Sequence, residues 1–160
     1  MSDSNLYAKL GATAKEFVLS TSPKTAGTNE PDAERFYATL APEFRMSWGH
    51  KFFVANAPPL QGSVDGEGFL KHQSSMAPKL STWRIEVTQL CVDVEQRSAV
   101  LRGDFFMFAK GQSEHVLNDI LFWIVMDEAG EKVRSAMEFV DAAASGELRK
   151  HFVAAAGAPS

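Results

Sequence analysis

Cysteine is nearly absent from this chain. Its 160 residues include one, Cys91. A disulfide within the chain is therefore impossible, and a cysteine-based metal site is disfavoured. Cys91 falls inside an alternating apolar pattern, so it is expected to pack as a small buried hydrophobe. Basic charge is also in deficit. Sixteen Lys and Arg against 20 Asp and Glu leave a net charge of −4, which offers no electrostatic footprint for nucleic acid. No apolar run approaches the roughly 18 residues of a membrane span. The first residues, Met1-Ser2-Asp3-Ser4-Asn5, are polar and lack the charged-then-apolar order of a secretory signal. A cytoplasmic protein that binds neither membrane nor nucleic acid is expected.

Signature motifs are missing too. The four histidines are scattered, with no His–carboxylate spacing that reads as a metal set. There is no nucleophile elbow, no phosphate-cradling glycine loop and no dinucleotide fingerprint. No cofactor and no metal are expected. An acid–base inventory without a cofactor signature favours proton-transfer chemistry.

What the chain does have is aromatic side chains and alternation. Hydrophobic residues make up 45% and charged residues 22%, ordinary for one globular domain around one core. A single domain over residues 1–160 is expected. The twelve Phe exceed what a core strictly needs, which is compatible with an apolar cavity.

The first half reads mostly helical. Leu6, Leu10 and Phe17, with Tyr7, Ala14 and Val18, fall at helical spacing over 5–20. Pro31-Asp32-Ala33-Glu34 opens a second helix that runs to about Ala41, where Pro42 stops it. Phe44 to Gly49 predicts a short strand. Lys51 to Val64, with Pro58, Pro59 and Gly62, reads as a loop. Asp65 to Met76 predicts a third helix, with Phe69, His72 and Met76 along one face.

Long strands follow. Trp83, Ile85 and Val87 alternate on one phase, and Leu90, Val92 and Val94 on the other. That slip predicts a bulge near Thr88-Gln89, which bends the strand. Strands over 99–110, 115–127 and 132–140 are separated by turns at Gly111-Gln112 and Glu128-Ala129-Gly130. A helix over 142–156 and a frayed tail close the chain. Helices first and a large antiparallel sheet after is an α+β layout. A strongly bent sheet can curl into a cone around a helix, leaving an apolar pocket with a few polar groups on its walls.

Polar residues in these strands are the candidates for that pocket. Glu138 lies among Met137, Phe139 and Val140. Burial there would raise its pKa and poise it as a general acid or base; an exposed face or a pair with Arg134 is the plainer alternative. Arg102 and Asp104 share one strand phase with Phe106 and Phe108. They form either a structural ion pair or a proton donor with its orienter. Asn118 and Asp119 sit between Leu117 and Ile120, so one of the two faces inward if the strand is buried on both sides. His50 and His72 flank predicted pocket loops and can shuttle a proton near neutrality. His115, beside Glu114, and His151, in the last helix, are expected at the surface. Trp48, Phe106, Phe122 and Trp123 are candidate pocket walls or plain core.

Three segments carry a family resemblance. They are Pro59-Leu60-Gln61-Gly62 before a helix, the Gly-containing turn from Glu128 to Lys132, and the last strand Met137-Glu138-Phe139-Val140-Asp141. In this order they resemble the nuclear transport factor 2-like superfamily of α+β cones, and its SnoaL-like branch of small enzymes in particular. Within it, Glu138 to Asp141, Asn118-Asp119, His50 and His72 resemble positions in fungal meroterpenoid and polyketide isomerases and cyclases. Arg102-Gly103-Asp104 resembles the Arg-x-Asp of limonene epoxide hydrolases, with Glu138 in place of a late Asp. That group's Tyr in the first strand region has no counterpart in Gly49 to Val54.

The resemblance implies a cofactor-independent isomerase or cyclase for a polyketide- or terpenoid-derived small molecule of secondary metabolism. Glu138 or a His would remove a proton beside a carbonyl. His50, His72, Asp104 or Asp119 would serve as further acid–base groups, and Arg102 would meet the oxyanion. Asn118 and the aromatic walls would hold the substrate. Two other readings stand beside it: an epoxide hydrolase using Asp104, Arg102 and Glu138, and a binding or assembly module without chemistry. A homodimer is expected, because an unpaired sheet face needs cover.

Overall fold

Helix α1 (Asp3–Leu19) opens the computed structural model, which describes residues 3–156. The tail over 157–160, where fraying is expected, lies outside the described residues. Leu10, Ala14, Phe17 and Val18 recur at helical spacing and are fully buried, so one stripe of α1 faces the core. Tyr7, on the second apolar line read from the sequence, is half exposed instead. Phe17 is the hub of that stripe. Its ring stands 6.0 Å from Phe36, 5.8 Å from Phe44 and 6.3 Å, edge-on, from Phe122.

Helix α2 (Ala33–Ala38) is shorter than its periodicity predicts. Asp32 caps it, accepting from the Arg35 backbone N–H at 3.1 Å, as an N-cap carboxylate should. It stops at Thr39, whose carbonyl accepts from Val133 N at 2.9 Å. Strand β1 (Leu40–Trp48) therefore starts where the sequence placed the helix end, and it contains Pro42. A register shift between Leu40 and Arg45 leaves Pro42 out of the ladder, which is how a strand tolerates proline.

The stretch read as a loop is partly ordered. It holds helix α3 (Lys51–Ala55), a 3-10 turn at Pro58–Leu60 and strand β2 (Ser63–Val64), which pairs with Met46 and Ser47 of β1. Pieces this short carry no readable period. Helix α4 (Gly66–Met76) follows, capped by Asp65, whose Oδ1 accepts from Gly68 N at 2.9 Å.

Four long strands complete the sheet: β3 (Leu80–Asp93), β4 (Ser98–Ala109), β5 (Val116–Met126) and β6 (Val133–Phe139). The order is β2-β1-β6-β5-β4-β3, with β1 parallel to β6 and the other neighbours antiparallel. Gly111 and Gly130 take positive φ, 78° and 70°, at the turns where the sequence placed them, a conformation that costs glycine little. The sheet is curved and not closed.

The β3 bulge lies where the phase slip predicts it. Val87 pairs with Gly103 and Gln89 with Arg102, so Thr88 is the extra residue. The bulge keeps apolar residues inward on both sides of the kink. Trp83 and Ile85 are buried before it, and Leu90 and Val92 lie against Gly11 of α1 after it. Cys91 is thereby turned outward and is exposed, contrary to the buried position expected for it.

Strands β4 and β5 settle which phase faces in. Ala99, Leu101, Phe105 and Met107 are buried on β4, and Asn118, Ile120, Phe122 and Ile124 on β5. The opposite phase carries Arg102, Asp104, Phe106, Asp119 and Trp123 on the convex face. Helix α5 (Ala142–Ala156) then packs against β4 and β5. No helix among the described residues is long and apolar enough to cross a membrane.

Candidate active site

Between the concave sheet, α4 and α5 lies a cavity of about 460 Å³. Trp48, Phe69, Trp83, Phe105, Met107 and Ile120 give it apolar walls. Few polar groups interrupt them, and Glu138 is the carboxylate among them.

Glu138 reaches the cavity because β6 alternates, and because its register on both neighbours is fixed. It stands beside Trp48 of β1 and Phe122 of β5. Gly49 tightens this corner. Its N–H donates to the Glu138 carbonyl at 2.9 Å, and a Cβ at Gly49 would lie 2.1 Å from the Phe139 ring. Arg134, the alternative partner for Glu138, instead pairs with Glu43 at 3.0 Å.

The carboxyl has one described donor. Trp48 Nε1–H donates to Glu138 Oε2 at 3.0 Å. Burial among apolar side chains pushes the Glu138 pKa up from 4.5 to about 7, and the Trp48 bond offsets only part of that rise. At neutral pH the group is therefore present in both protonation states.

His72 comes from α4 and lines the same cavity. Its ring lies 5.2 Å from that of Trp48, so His72 and Glu138 flank one indole. Burial holds the His72 pKa below its usual value, which keeps the imidazole neutral at physiological pH.

Asn118 is 4% exposed and does two things. Its Oδ1 accepts from the Asp141 N–H at 3.1 Å, and its Nδ2 donates to Ser145 Oγ at 3.3 Å. Asp141 in turn caps α5, accepting from Ala143 N at 2.8 Å and Ala144 N at 3.1 Å. A strand residue on the cavity wall thus fixes the helix that covers the cavity. On the other side, the Thr21 carbonyl accepts from Trp83 Nε1 at 2.9 Å and Gln73 Nε2 at 2.8 Å. Two cavity-lining side chains are anchored to one oxygen.

The remaining candidates stand elsewhere. Arg102 donates through Nε to Asp119 Oδ1 at 2.8 Å on the convex face. Their bond holds the Asp119 carboxyl below its usual pKa and the Arg102 guanidinium above its own. A pair so fixed stays charged at neutral pH. Asp104 shares that face, directly opposite Asp119. Phe106 faces outward under the Arg84 guanidinium, 3.9 Å from its ring centre, and Trp123 is 54% exposed. His50 is exposed at the start of α3, its ring 5.2 Å from Phe139. Phe122 is fully buried in the core beneath the site. Of the candidates, the cavity brings together Glu138, His72, Trp48 and Asn118.

Sequence reading missed Phe105, Met107, Trp83, Gln73, Lys79 and Arg149 on the lining. A signal for the first two existed. Both phases of β4 are apolar near its end, but Arg102, Asp104 and Lys110 all share one phase. The charged phase was the outer one.

Among the described residues no group of three or more His, Cys, Asp or Glu is placed to hold a metal ion.

Comparison with solved structures places this architecture. The pinacolase BvnE from Penicillium brevicompactum is similar at a TM-score of 0.75 and 15% identity, over 95% of this chain and 99% of that one. A protein from Jannaschia sp. CCS1 described as a SnoaL-like polyketide cyclase matches at 0.61 and 15%, over 87% and 92%. The chain has the nuclear transport factor 2-like fold. PrhC from Penicillium brasilianum shares that fold at a TM-score of 0.74 and 15% identity, over 93% of this chain and 91% of that one. At such identities the likeness is one of fold. No family model matches the chain, and no curated protein matches it by sequence.

Proposed function

We propose that this protein is an isomerase or cyclase that moves protons on a polyketide- or terpenoid-derived small molecule, with Glu138 as its acid–base group. The observation that carries the reading is the Glu138 carboxyl, half-buried on an apolar cavity wall, its pKa raised to about 7. A catalytic acid or base works best when its pKa lies near the operating pH. The fold neighbours support the choice of reaction class, since one is named a pinacolase and another is described as a polyketide cyclase.

Proton transfer by Glu138 follows from its surroundings. As carboxylate, it takes a proton from carbon beside a carbonyl, and the Trp48 N–H holds Oε2 while Oε1 is free to react. The developing oxyanion needs a donor. Arg102 stands on the other face of the sheet, so the Asn118 amide is the candidate on the wall. Neutral His72, across the indole, relays a proton to or from the substrate. As protonated acid, Glu138 instead donates to a hydroxyl that leaves as water; a pinacol-type shift fills the cation, and the Glu138 carboxylate takes the proton of the remaining hydroxyl as it becomes a carbonyl. The apolar walls exclude water from whichever carbanion or cation results.

The epoxide hydrolase reading needs Asp104 and Arg102 beside Glu138. They lie on opposite faces of the sheet, so that trio is not assembled. A binding module without chemistry predicts that Glu138→Gln alters charge and stability while ligand binding persists.

The test is turnover across a panel of carbonyl- and diol-bearing polyketide and meroterpenoid intermediates, read as altered retention at unchanged mass for a proton shift or with loss of one water for the pinacol-type step. Loss of about 10²-fold or more in Glu138→Gln, with an intact fold, is expected. Full activity in that variant would refute the role.

A further inference from the structure

Two cations line the cavity with no carboxylate to answer them. Lys79, in the 3-10 turn Ala77–Lys79, and Arg149, on α5, are both lining residues. Lys79 Nζ stands 5.5 Å over the Phe152 ring. Phe152 lies three residues beyond Arg149 on the cavity face of α5, together with Ser145 and Leu148. Both cations therefore belong to the stretch of rim where the 3-10 turn approaches α5.

Their charge is not consumed by the protein. Among the described residues neither side chain has an ion pair, whereas Arg35, Arg84, Arg102 and Arg134 each hold a carboxylate. The acid on α5, Glu147, serves Lys150 and His151, none of which lines the cavity. The wall's one carboxyl, Glu138, is half neutral near pH 7. A chain of net charge −4 thus presents a locally positive rim above an apolar chamber.

We propose that Lys79 and Arg149 form an anion subsite, and that the natural ligand is an apolar molecule carrying a carboxylate. The apolar body fills the chamber between Trp48, Trp83 and Phe105, and the carboxylate stays at the rim. Both cations keep water access there, so ligand binding strips little solvent from them. Arg149 offers a planar fork that fits a carboxylate in two contacts, and Lys79 adds a point charge. The arrangement orients the ligand, since only one end of it can stay with the cations. This inference rests on the cavity being a small-molecule site, but not on Glu138 chemistry.

Calorimetry with a matched pair of probes tests it: 1-naphthaleneacetic acid and its neutral primary amide, at neutral pH. The acid is expected to bind about tenfold more tightly at low salt. The preference should shrink in molar salt, where the screening length falls to about 3 Å. It should vanish in the K79Q/R149Q variant while the amide affinity holds. Both side chains are exposed, so the variant is expected to fold, checked by circular dichroism. Equal affinities, no binding of the acid, or a preference that survives the double substitution would each overturn the subsite. Glu138→Gln should leave the acid–amide preference in place. Lost turnover in that variant would then bear on the isomerase reading alone.

Discussion

Glu138 should make the fold weaker as pH rises. Its folded-state pKa, about 7, lies above the ordinary 4.5. The unfolded chain then gives up the proton more easily than the native one. Between the two pKa values the native state binds more protons, so stability falls with rising pH. It is greatest below about pH 4.5, drops through the window up to about 7, and stays low above it. A difference of about 2.5 pKa units corresponds to about 3 kcal/mol. For a chain of this size that is a shift of about 6–12 °C in melting temperature. Glu138→Gln removes the titration but keeps the shape, with the amide oxygen able to accept from Trp48 Nε1. The variant should match the native protein near pH 4 and exceed its stability by about 3 kcal/mol near pH 8. Urea titrations of both proteins at the two pH values measure it. Parallel pH curves for the two would mean that Glu138 titrates as an ordinary exposed carboxylate. The case for a poised acid–base group would then fall with it.

Four other outcomes are expected. Trp48→Phe removes the one described donor to Glu138, so the pKa of the carboxyl, and any pH–rate inflection it controls, should move up; an unmoved inflection refutes the link. Arg102→Ala and Asp104→Ala, on the convex face, should leave turnover unchanged, and a large loss in both would revive the epoxide hydrolase arrangement. Gly49→Ala forces a methyl into the Phe139 ring and should cost about 1–3 kcal/mol in a urea titration; a neutral result would mean that Phe139 yields freely. Leu117, Leu121, Trp123 and Met137 leave an apolar convex face. If a second copy covers it, sedimentation should show a dimer for the native chain and a monomer for Trp123→Glu.

Long alternating strands were the legible part of this chain. The bulge at Thr88 could be placed because Val87 and Leu90 cannot both face the core without an extra residue between them. The Gly111 and Gly130 turns were equally readable, because each needs positive φ. Short elements were not. The five residues of α3 and two of β2 are held by tertiary pairing rather than by pattern. Pro42 reads as a helix stop because a register shift that excuses it from the ladder leaves no trace in sequence. Strand phase was the costliest ambiguity. Near Phe105 and Phe106 both phases are apolar, so periodicity alone could not say that Arg102, Asp104 and Asp119 turn outward while Asn118 and Glu138 turn in.

Polar residues on the two faces differ in how they are answered, and that difference carries the function. On the convex side Arg84 and Arg102 each have a carboxylate, and Arg102 with Asp119 is held in the charged form. The Arg102–Asp119 pair is a poor proton carrier near neutral pH, because each partner holds the other charged. On the concave side Glu138 has a single N–H donor and no described cation partner. An ionised carboxylate left that way weakens the fold, by about 3 kcal/mol. The sheet tolerates it at one position, next to an aromatic wall, a neutral imidazole and an amide that ties down the covering helix. A carboxyl kept only for structure would gain stability from replacement by Gln, with nothing lost. An acid–base role for Glu138 therefore requires both results from one substitution: Glu138→Gln must raise stability at high pH and abolish turnover. Either result without the other separates a misplaced charge from a working acid.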